Sequence, residues 1–483
     1  MPTKTIPEEP SLFKLRFGAD WTAGGSIHYG ITDMTNHALA PHQQSLSAWL
    51  GRHTAITRVE AFVFDIAGAA KGKWLARDKA GSLDAKGLPV PISVFAQDAW
   101  GCDVADAGLA FGTGDPDALC YAVPGRFAAM PWLGDGVGQA LLTMRDPDGN
   151  PVVSDPRGAL ERVLARYSAR GLTPVVAMEL EFYLYRLENG VPVPPDGNMR
   201  RNDTLSTSAL AEHAPFFDAV FDAAAALGIP ADGVISEAGP GQFELNLLHR
   251  ADALAAADDV MLMRRVVRTL AKVHGLGATF MAKPYGDASG SGMHIHASVL
   301  DTKGRNVLGK PEGGPSDLLL HAVTGLLGAM PETMLAFAPN FNSFRRFRPD
   351  AHAPVSAGWG VDDRSAAVRV INSDARSTRI EHRISGADAN AYIATAAMLG
   401  AMLEGIEAGV APPPPQDPTN PGAGAALPVE WGVAIDRFAS SIFAEAIFGA
   451  RFRDIYVACK RQDRAAFLGH IDRFEYDTYL GLL

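Results

Sequence analysis

The sequence predicts an α+β protein, a small β-rich N-terminal domain followed by a larger domain in which helices alternate with short strands. Three observations carry this expectation. The β-branched and aromatic run from Ile56 to Ile66 reads as a strand ending in a turn at Asp65-Ile66-Ala67-Gly68. The turn-rich stretch Asp146-Pro147-Asp148-Gly149-Asn150-Pro151 precedes Asp155-Pro156, a capping aspartate before a proline at the first helical position, and places a domain boundary there. Beyond it, helical segments expected over 158–170, 209–227, 252–275, 316–330 and 389–408 alternate with strand-like runs.

Taken in chain order, residues 1–44 lack sustained periodicity and read as an N-terminal extension. Residues 45–150 form the β-rich domain, which opens near a short helix over 44–53. Residues 151–483 form the larger domain. Within it, the Pro/Gly-rich run 411–428 cannot hold a helix and reads as an exposed loop before helices resume. No internal repeat is visible.

Apolar residues make up 47% and charged residues 20%, the balance of a soluble globular protein. A formal charge of -11, from 43 basic against 54 acidic residues, repels phosphate backbones and anionic membrane surfaces, so neither nucleic acid nor membrane is an expected partner. Cys102, Cys120 and Cys459 show no framework spacing and read as free thiols of a reducing, cytoplasmic compartment. The N-terminus carries acids and prolines where a signal peptide would need an apolar core. The alanine-rich stretch Phe216–Leu227 is interrupted by Asp218 and Asp222 and reads as an amphipathic core helix.

Chemistry enters through strand alternation, because residues i and i+2 share a face. In the run Met178 to Phe182, Glu179 and Glu181 share one face while Met178, Leu180 and Phe182 take the other. The same arithmetic groups Gln242, Glu244 and Asn246, with Glu237 across an Ala-Gly-Pro-Gly turn. It groups His294, His296 and Ser298 after Ser289-Gly290-Ser291-Gly292, and Arg379, Glu381 and Arg383. A single polar strand face is ordinary surface. These faces, however, carry glutamate, histidine and arginine and no lysine. Such an oxygen-rich set suits Mg²⁺ or Mn²⁺ and not a thiolate-loving metal.

Arg345, Arg346, Arg348, Arg364, Arg369, Arg376, Arg379 and Arg383 fall within one short region. Planar guanidinium groups suit carboxylate and phosphate recognition, and metals beside arginines suggest phosphoryl transfer. A basic nucleic-acid patch fits less well, because the chain is acidic and these arginines alternate with apolar residues. No Walker-type GxxxxGK[ST] occurs, which argues against a P-loop fold.

Read in order, Glu179-x-Glu181-Phe182, Glu237-Ala-Gly-Pro-Gly-Gln242-x-Glu244, Lys283-Pro284, Gly290-Ser-Gly-Met-His294-x-His296-x-Ser298, Asn342-Ser343-Phe344-Arg345-Arg346, Arg364-Ser365 and Arg379-Ile-Glu381-x-Arg383 resemble glutamine synthetases from about residue 56 to the C-terminus. The resemblance implies a β-grasp N-terminal domain and the glutamine synthetase catalytic α/β domain. It also implies a homo-oligomer, a dodecamer of two hexameric rings with active sites between subunits. The substrates would be glutamate, ATP and an amine, with two or more Mg²⁺ or Mn²⁺ ions per site. By motif, Glu181, Glu237 and Glu244 resemble one metal site, and Glu179, His294 and Glu381 the nucleotide-linked site. Arg346, Arg383 and Gly290 resemble glutamate-holding positions, and His296, Ser298, Arg364 and Arg369 those serving ATP. Arg364 would also stabilise the phosphoryl group in flight, and Asp65 matches a position offered to the incoming amine by a neighbouring subunit.

Departures from the family pattern bear on the amine. His352 stands where a flap glutamate helps deprotonate ammonium, Ser289 replaces the asparagine before Gly290, and Asp362-Asp363 precede Arg364. No tyrosine occurs near 411–428, so the adenylylation control of some relatives is expected to be absent. Trp359-Gly360, Arg345-Arg346-Phe347 and Glu381 through Asn390 resemble γ-glutamylpolyamine synthetases and related γ-glutamyl-amine ligases. A neutral His352 leaves room for an organic amine and can accept a proton near neutral pH, although an inert loop histidine is as good a reading. The expectation is therefore ATP-dependent ligation of glutamate to a polyamine or small monoamine through γ-glutamyl phosphate. Its rivals are an ammonia-using glutamine synthetase and a catalytically silent oligomer. A phosphokinase sharing the catalytic fold would leave the N-terminal domain unexplained.

Overall fold

The computed structural model describes residues 44–348, 353–417 and 424–483, which belong to one compact unit. All but the last residue of the expected N-terminal extension lies outside the described residues. The first sheet is built from β1 (Arg58–Phe64), β2 (Ala70–Ala76), β3 (Leu88–Pro91), β4 (Asp117–Ala129) and β5 (Val137–Arg145), in the order β2-β1-β5-β4-β3. Parallel pairing of β1 with β5 puts two apolar strands at its centre.

The second sheet contains β6 (Thr173–Glu188), β7 (Val191–Val193), β8 (Ala231–Ser236), β9 (Gln242–Arg250), β10 (Gly277–Thr279) and β11 (Met293–Leu300). A two-residue strand, β12 (Ser356–Ala357), lies apart from it, and β13 (Trp359–Val361), β14 (Val368–Ile371) and β15 (Arg379–His382) complete it. Its order is β13-β14-β15-β11-β6-β9-β8, with β7 and β10 also paired to β6. Inside the 411–428 run, β16 (Ala425–Ala426) pairs with β12. One face of the large sheet is apolar: Met178, Leu180, Phe182, Phe243, Leu245, Met293, Ile295 and Ile380 join the main core.

Helix boundaries follow local chemistry with two exceptions. Asp155 caps the helix Pro156–Ser168 by accepting from the Arg157 N–H at 2.9 Å, as its sequence predicts. The segment expected as one helix over 209–227 is two, Thr207–Glu212 and Ala214–Ala226, because Pro215 begins a new helix and cannot continue the old one. Conversely, the helix expected to stop at 330 runs from Asp317 to Phe337 through Pro331. Packing outweighs the lost hydrogen bond there. A Cβ on Gly325 would lie 2.0 Å from Ala401 O and one on Gly405 2.1 Å from His321 O, so this helix and Ala391–Ala408 meet at backbone contact. The helix Asp317–Phe337 is long and apolar enough to cross a membrane, yet it is a core element against that neighbour.

The two sheets are joined through a buried ionic network. Arg157 Nε and Nη2 donate to the two oxygens of Asp258 at 2.9 and 3.1 Å, and Tyr392 Oη donates to Asp258 Oδ1 at 2.7 Å. Arg126, from β4, donates to Asp259 Oδ1 at 2.8 Å, and Arg250, from β9, donates to Asp259 Oδ2 at 2.5 Å. Asp258 is 1% exposed, so removing its charge strands a buried guanidinium. Asp258→Ala is expected to lower unfolding stability by about 3–5 kcal/mol, checked by denaturant unfolding against the parent chain.

Candidate active site

The polar face of the large sheet gathers the acids and imidazoles by register. Glu181 lies opposite Glu244, Glu179 opposite His294, His296 opposite Glu381, and Glu381 opposite Arg369. Because β6 sits between β9 and β11, Glu179 can reach both neighbours. This face is not ordinary solvated surface: Glu244, His296 and Glu381 are 6%, 7% and 1% exposed within a single chain.

Glu179 binds both histidines, His294 Nδ1 at 3.0 Å and His296 Nε2 at 2.9 Å. Arg379 Nε donates to His296 Nδ1 at 3.3 Å, which leaves Nε2 as the protonated nitrogen facing Glu179. Burial pushes Glu179 up, but the hydrogen bonds from His294 and His296 outweigh it and hold the carboxyl well below its ordinary range. Burial likewise opposes Glu381, and Arg383 followed by the two imidazoles brings it down.

Two other acids go the opposite way. Burial, with Glu181 beside it, pushes Glu237 up to about 7. Burial and the charges of Glu179, Glu181 and Glu237 push Glu244 up to about 9. Carboxylates concentrated in a buried site without a neutralising cation must hold protons. The donor chemistry therefore fits a divalent ion. Glu179, Glu244 and His294 offer ligand atoms within 4.8 Å of one another, and so do Glu179, His296 and Glu381. Oxygen with imidazole nitrogen suits Mg²⁺ or Mn²⁺.

Guanidinium groups border the acids. Arg369 donates to Glu381 Oε2 at 3.0 Å and pairs with Asp362 at 3.3 Å. Arg383 also binds Glu381, and its Nε donates to the Arg364 carbonyl at 3.1 Å. Arg346 is buried, donates to the Ile384 carbonyl at 3.0 Å and feels the charges of Glu181 and Asp388. Gly290 is demanded by that packing, since a Cβ there would lie 2.7 Å from Arg346 Cγ and 2.9 Å from the Ala282 carbonyl.

The model of the glutamine synthetase catalytic domain matches residues 153–479. The chain belongs to the glutamine synthetase family. It is 37% identical to the gamma-glutamylputrescine synthetase PuuA of Escherichia coli K12, over 90% of this chain and 94% of the relative. It is 33% identical to the gamma-glutamylethanolamide synthetase GlnA4 of Streptomyces coelicolor, over 69% of this chain and 72% of the relative. The solved structure of GmaS without ligand superposes with a TM-score of 0.79 at 26% identity, covering 90% of this chain and 99% of that one.

Most residues singled out in the sequence lie on the polar face of the large sheet. The grouping differs: short-range donor sets pair Glu179 with Glu244 and His294, and again with His296 and Glu381, so His296 stands among potential ligands. Glu181 and Glu237 lie beside these sets, coupled to them by charge. Ser298 shares the β11 face, half-buried, and Arg364 is exposed at the rim. Asp65 is 2% exposed within one chain, accepts from the Ala69 N–H at 2.7 Å and lies 3.8 Å from Lys71, so it stabilises the turn after β1. His352 lies outside the described residues.

Three contributors went unassigned in the sequence. Arg379 sets the His296 tautomer, and Gln242 binds Glu181; alternation had placed both on the polar faces without giving them a task. Asp363 accepts from Ser365 and from Gln416 Nε2 at 2.8 Å, pinning the turn that carries Arg364. Nothing local marks Gln416, which lies more than fifty residues away and enters through the Pro-rich run.

Proposed function

We propose that this chain ligates the γ-carboxylate of glutamate to an organic amine, a polyamine or small monoamine, at the expense of ATP. The observation that carries the reading is the single buried face on which strands far apart in sequence assemble carboxylates, imidazoles and guanidinium groups. The amine rests on the 37% identity to a gamma-glutamylputrescine synthetase across nearly the whole of both chains.

In this reading Glu179, Glu181, Glu237, Glu244, His294 and Glu381 would hold two or more Mg²⁺ or Mn²⁺ ions, with His296 joining the nucleotide-linked set, and that cation charge would offset the negative charge of a phosphoryl group in transfer. Arg346, Arg383 and Gly290 hold glutamate, while Ser298, Arg369 and His296 face ATP. Arg364, exposed at the rim on a turn pinned by Asp363, is free to swing onto the phosphoryl group. Phosphorylation of the γ-carboxylate gives an acyl phosphate, and attack by the amine releases phosphate and forms the amide. His352 would accept the proton of the attacking amine. Asp65, in the turn after β1, would be offered to the incoming amine by a neighbouring subunit.

The same reading assigns residues 45–150 to a β-grasp domain and 151–483 to the catalytic domain, in a cytoplasmic dodecamer of two hexameric rings. The test is phosphate release with glutamate, ATP and a panel of putrescine, ethanolamine, isopropylamine and ammonium. At least one organic amine is expected to exceed ammonium in kcat/KM by roughly 10²-fold. Turnover with ammonium alone would make the chain a glutamine synthetase, and no release with any amine would make it a silent relative.

A further inference from the structure

Gln242 is 2% exposed and ties together three separate pieces of the site. Its Oε1 accepts from the Gly239 N–H at 3.0 Å, which fixes the turn between Glu237 and β9. Its Nε2 donates to Glu181 Oε2 at 3.1 Å and to the Gly290 carbonyl at 3.0 Å. Glu181 Oε2 also accepts from the Gly292 N–H at 2.8 Å. With Oε2 so engaged, Oε1 is the carboxylate oxygen that these bonds leave out. It lies on the side of His294 Nε2 and Arg346, as all three atoms crowd the position a Cβ on Gly292 would take, at 3.5, 3.0 and 3.2 Å.

We infer that Gln242 is a positioning residue that couples the metal-binding carboxylate Glu181 to the glutamate-holding loop at Gly290. One rigid carboxamide cannot serve both acceptors unless they keep a fixed separation, so a displacement of Glu181 is transmitted to Gly290 and the reverse. The loop has other supports: Tyr183 Oη holds the Ser289 carbonyl at 2.7 Å, the Ser291 N–H holds Ala282 O at 2.8 Å, and the Gly292 N–H reaches Glu181 Oε2 from the far end of the loop. Gln242 adds the side-chain link that ties Gly290 itself to that carboxylate, whereas the ATP-facing residues Arg369 and Ser298 lie on β14 and β11 and make no hydrogen bond to it.

The inference rests on the ligase reading, and the experiment separates the two. Mn²⁺ binding is measured by calorimetry on the full chain, and KM values for glutamate and ATP by phosphate release, for the parent, Gln242→Met and Gln242→Glu. Met keeps the volume and removes all three hydrogen bonds; Glu keeps an acceptor for Gly239 and removes both donors. Gln242→Met is expected to weaken Mn²⁺ binding and raise the glutamate KM roughly tenfold each, with the ATP KM within twofold. Gln242→Glu is expected to share the glutamate defect, which keeps the test alive should the Met variant not fold. Equal loss in all three constants indicates general loosening and overturns the coupling, as do parent-like values. A parent chain that neither binds Mn²⁺ nor turns over rejects the ligase reading itself, and the coupling with it.

Discussion

Replacing Glu179 by alanine is expected to lower amine-dependent phosphate release by on the order of 10³-fold, the largest loss from any single substitution in the cluster. Glu179 is the one side chain common to both potential ligand sets. It is also the acceptor that orients both imidazoles, so its removal frees His294 and His296 to rotate as well as deleting an oxygen donor. The loss should not come from unfolding. Glu179 raises the carboxyl of Glu244 by repulsion, and its deletion relieves that repulsion in the metal-free chain. A melting temperature close to the parent's, together with the fall in kcat, is the expected pair of results. Activity within tenfold of the parent would remove the cluster from the reaction.

The relief of one acid by loss of another shows why part of this site could be read from sequence and part could not. Period-two alternation placed Glu179 with Glu181, Gln242 with Glu244, and His294 with His296, and each pair does share a strand face. Alternation says nothing of which strands adjoin. The order β15-β11-β6-β9 places Glu179 between His294 and Asn246 and moves His296 beside Glu381, which regrouped the donors. Asp65 is a different case. A motif match fixes a residue's place in the chain but not its exposure, and the hydrogen bond from Ala69 to the Asp65 carboxyl is not legible in the sequence. Helix ends erred wherever packing outweighed propensity, as at Pro331, where glycine contacts with a neighbouring helix hold the chain helical. Long-range clamps such as Gln416 on Asp363 carry no local signal.

Mg²⁺ affinity is expected to rise steeply with pH, by about 10³-fold between pH 6 and pH 8. The argument begins with protons held by the metal-free site, Glu237 at about 7 and Glu244 at about 9 against an ordinary 4.5 for each. A divalent ion needs these carboxyls ionised, so below pH 7 its binding expels about two protons and between pH 7 and pH 9 about one. The logarithm of affinity should therefore climb with a slope near two, then near one, and level off above pH 9. Stability of the metal-free chain carries the complementary sign. Between an ordinary carboxyl pKa and these raised values the folded state holds protons that the unfolded state has released, so this contribution falls as pH rises from about 4.5 towards 9. Added Mg²⁺ should consequently raise the melting temperature more at pH 8 than at pH 6. Calorimetry in buffers of different ionisation enthalpy counts the expelled protons directly. A pH-independent affinity with no proton release would mean that Glu237 and Glu244 do not face the ion, and the cluster would have to be built from Glu179, Glu381 and the histidines alone.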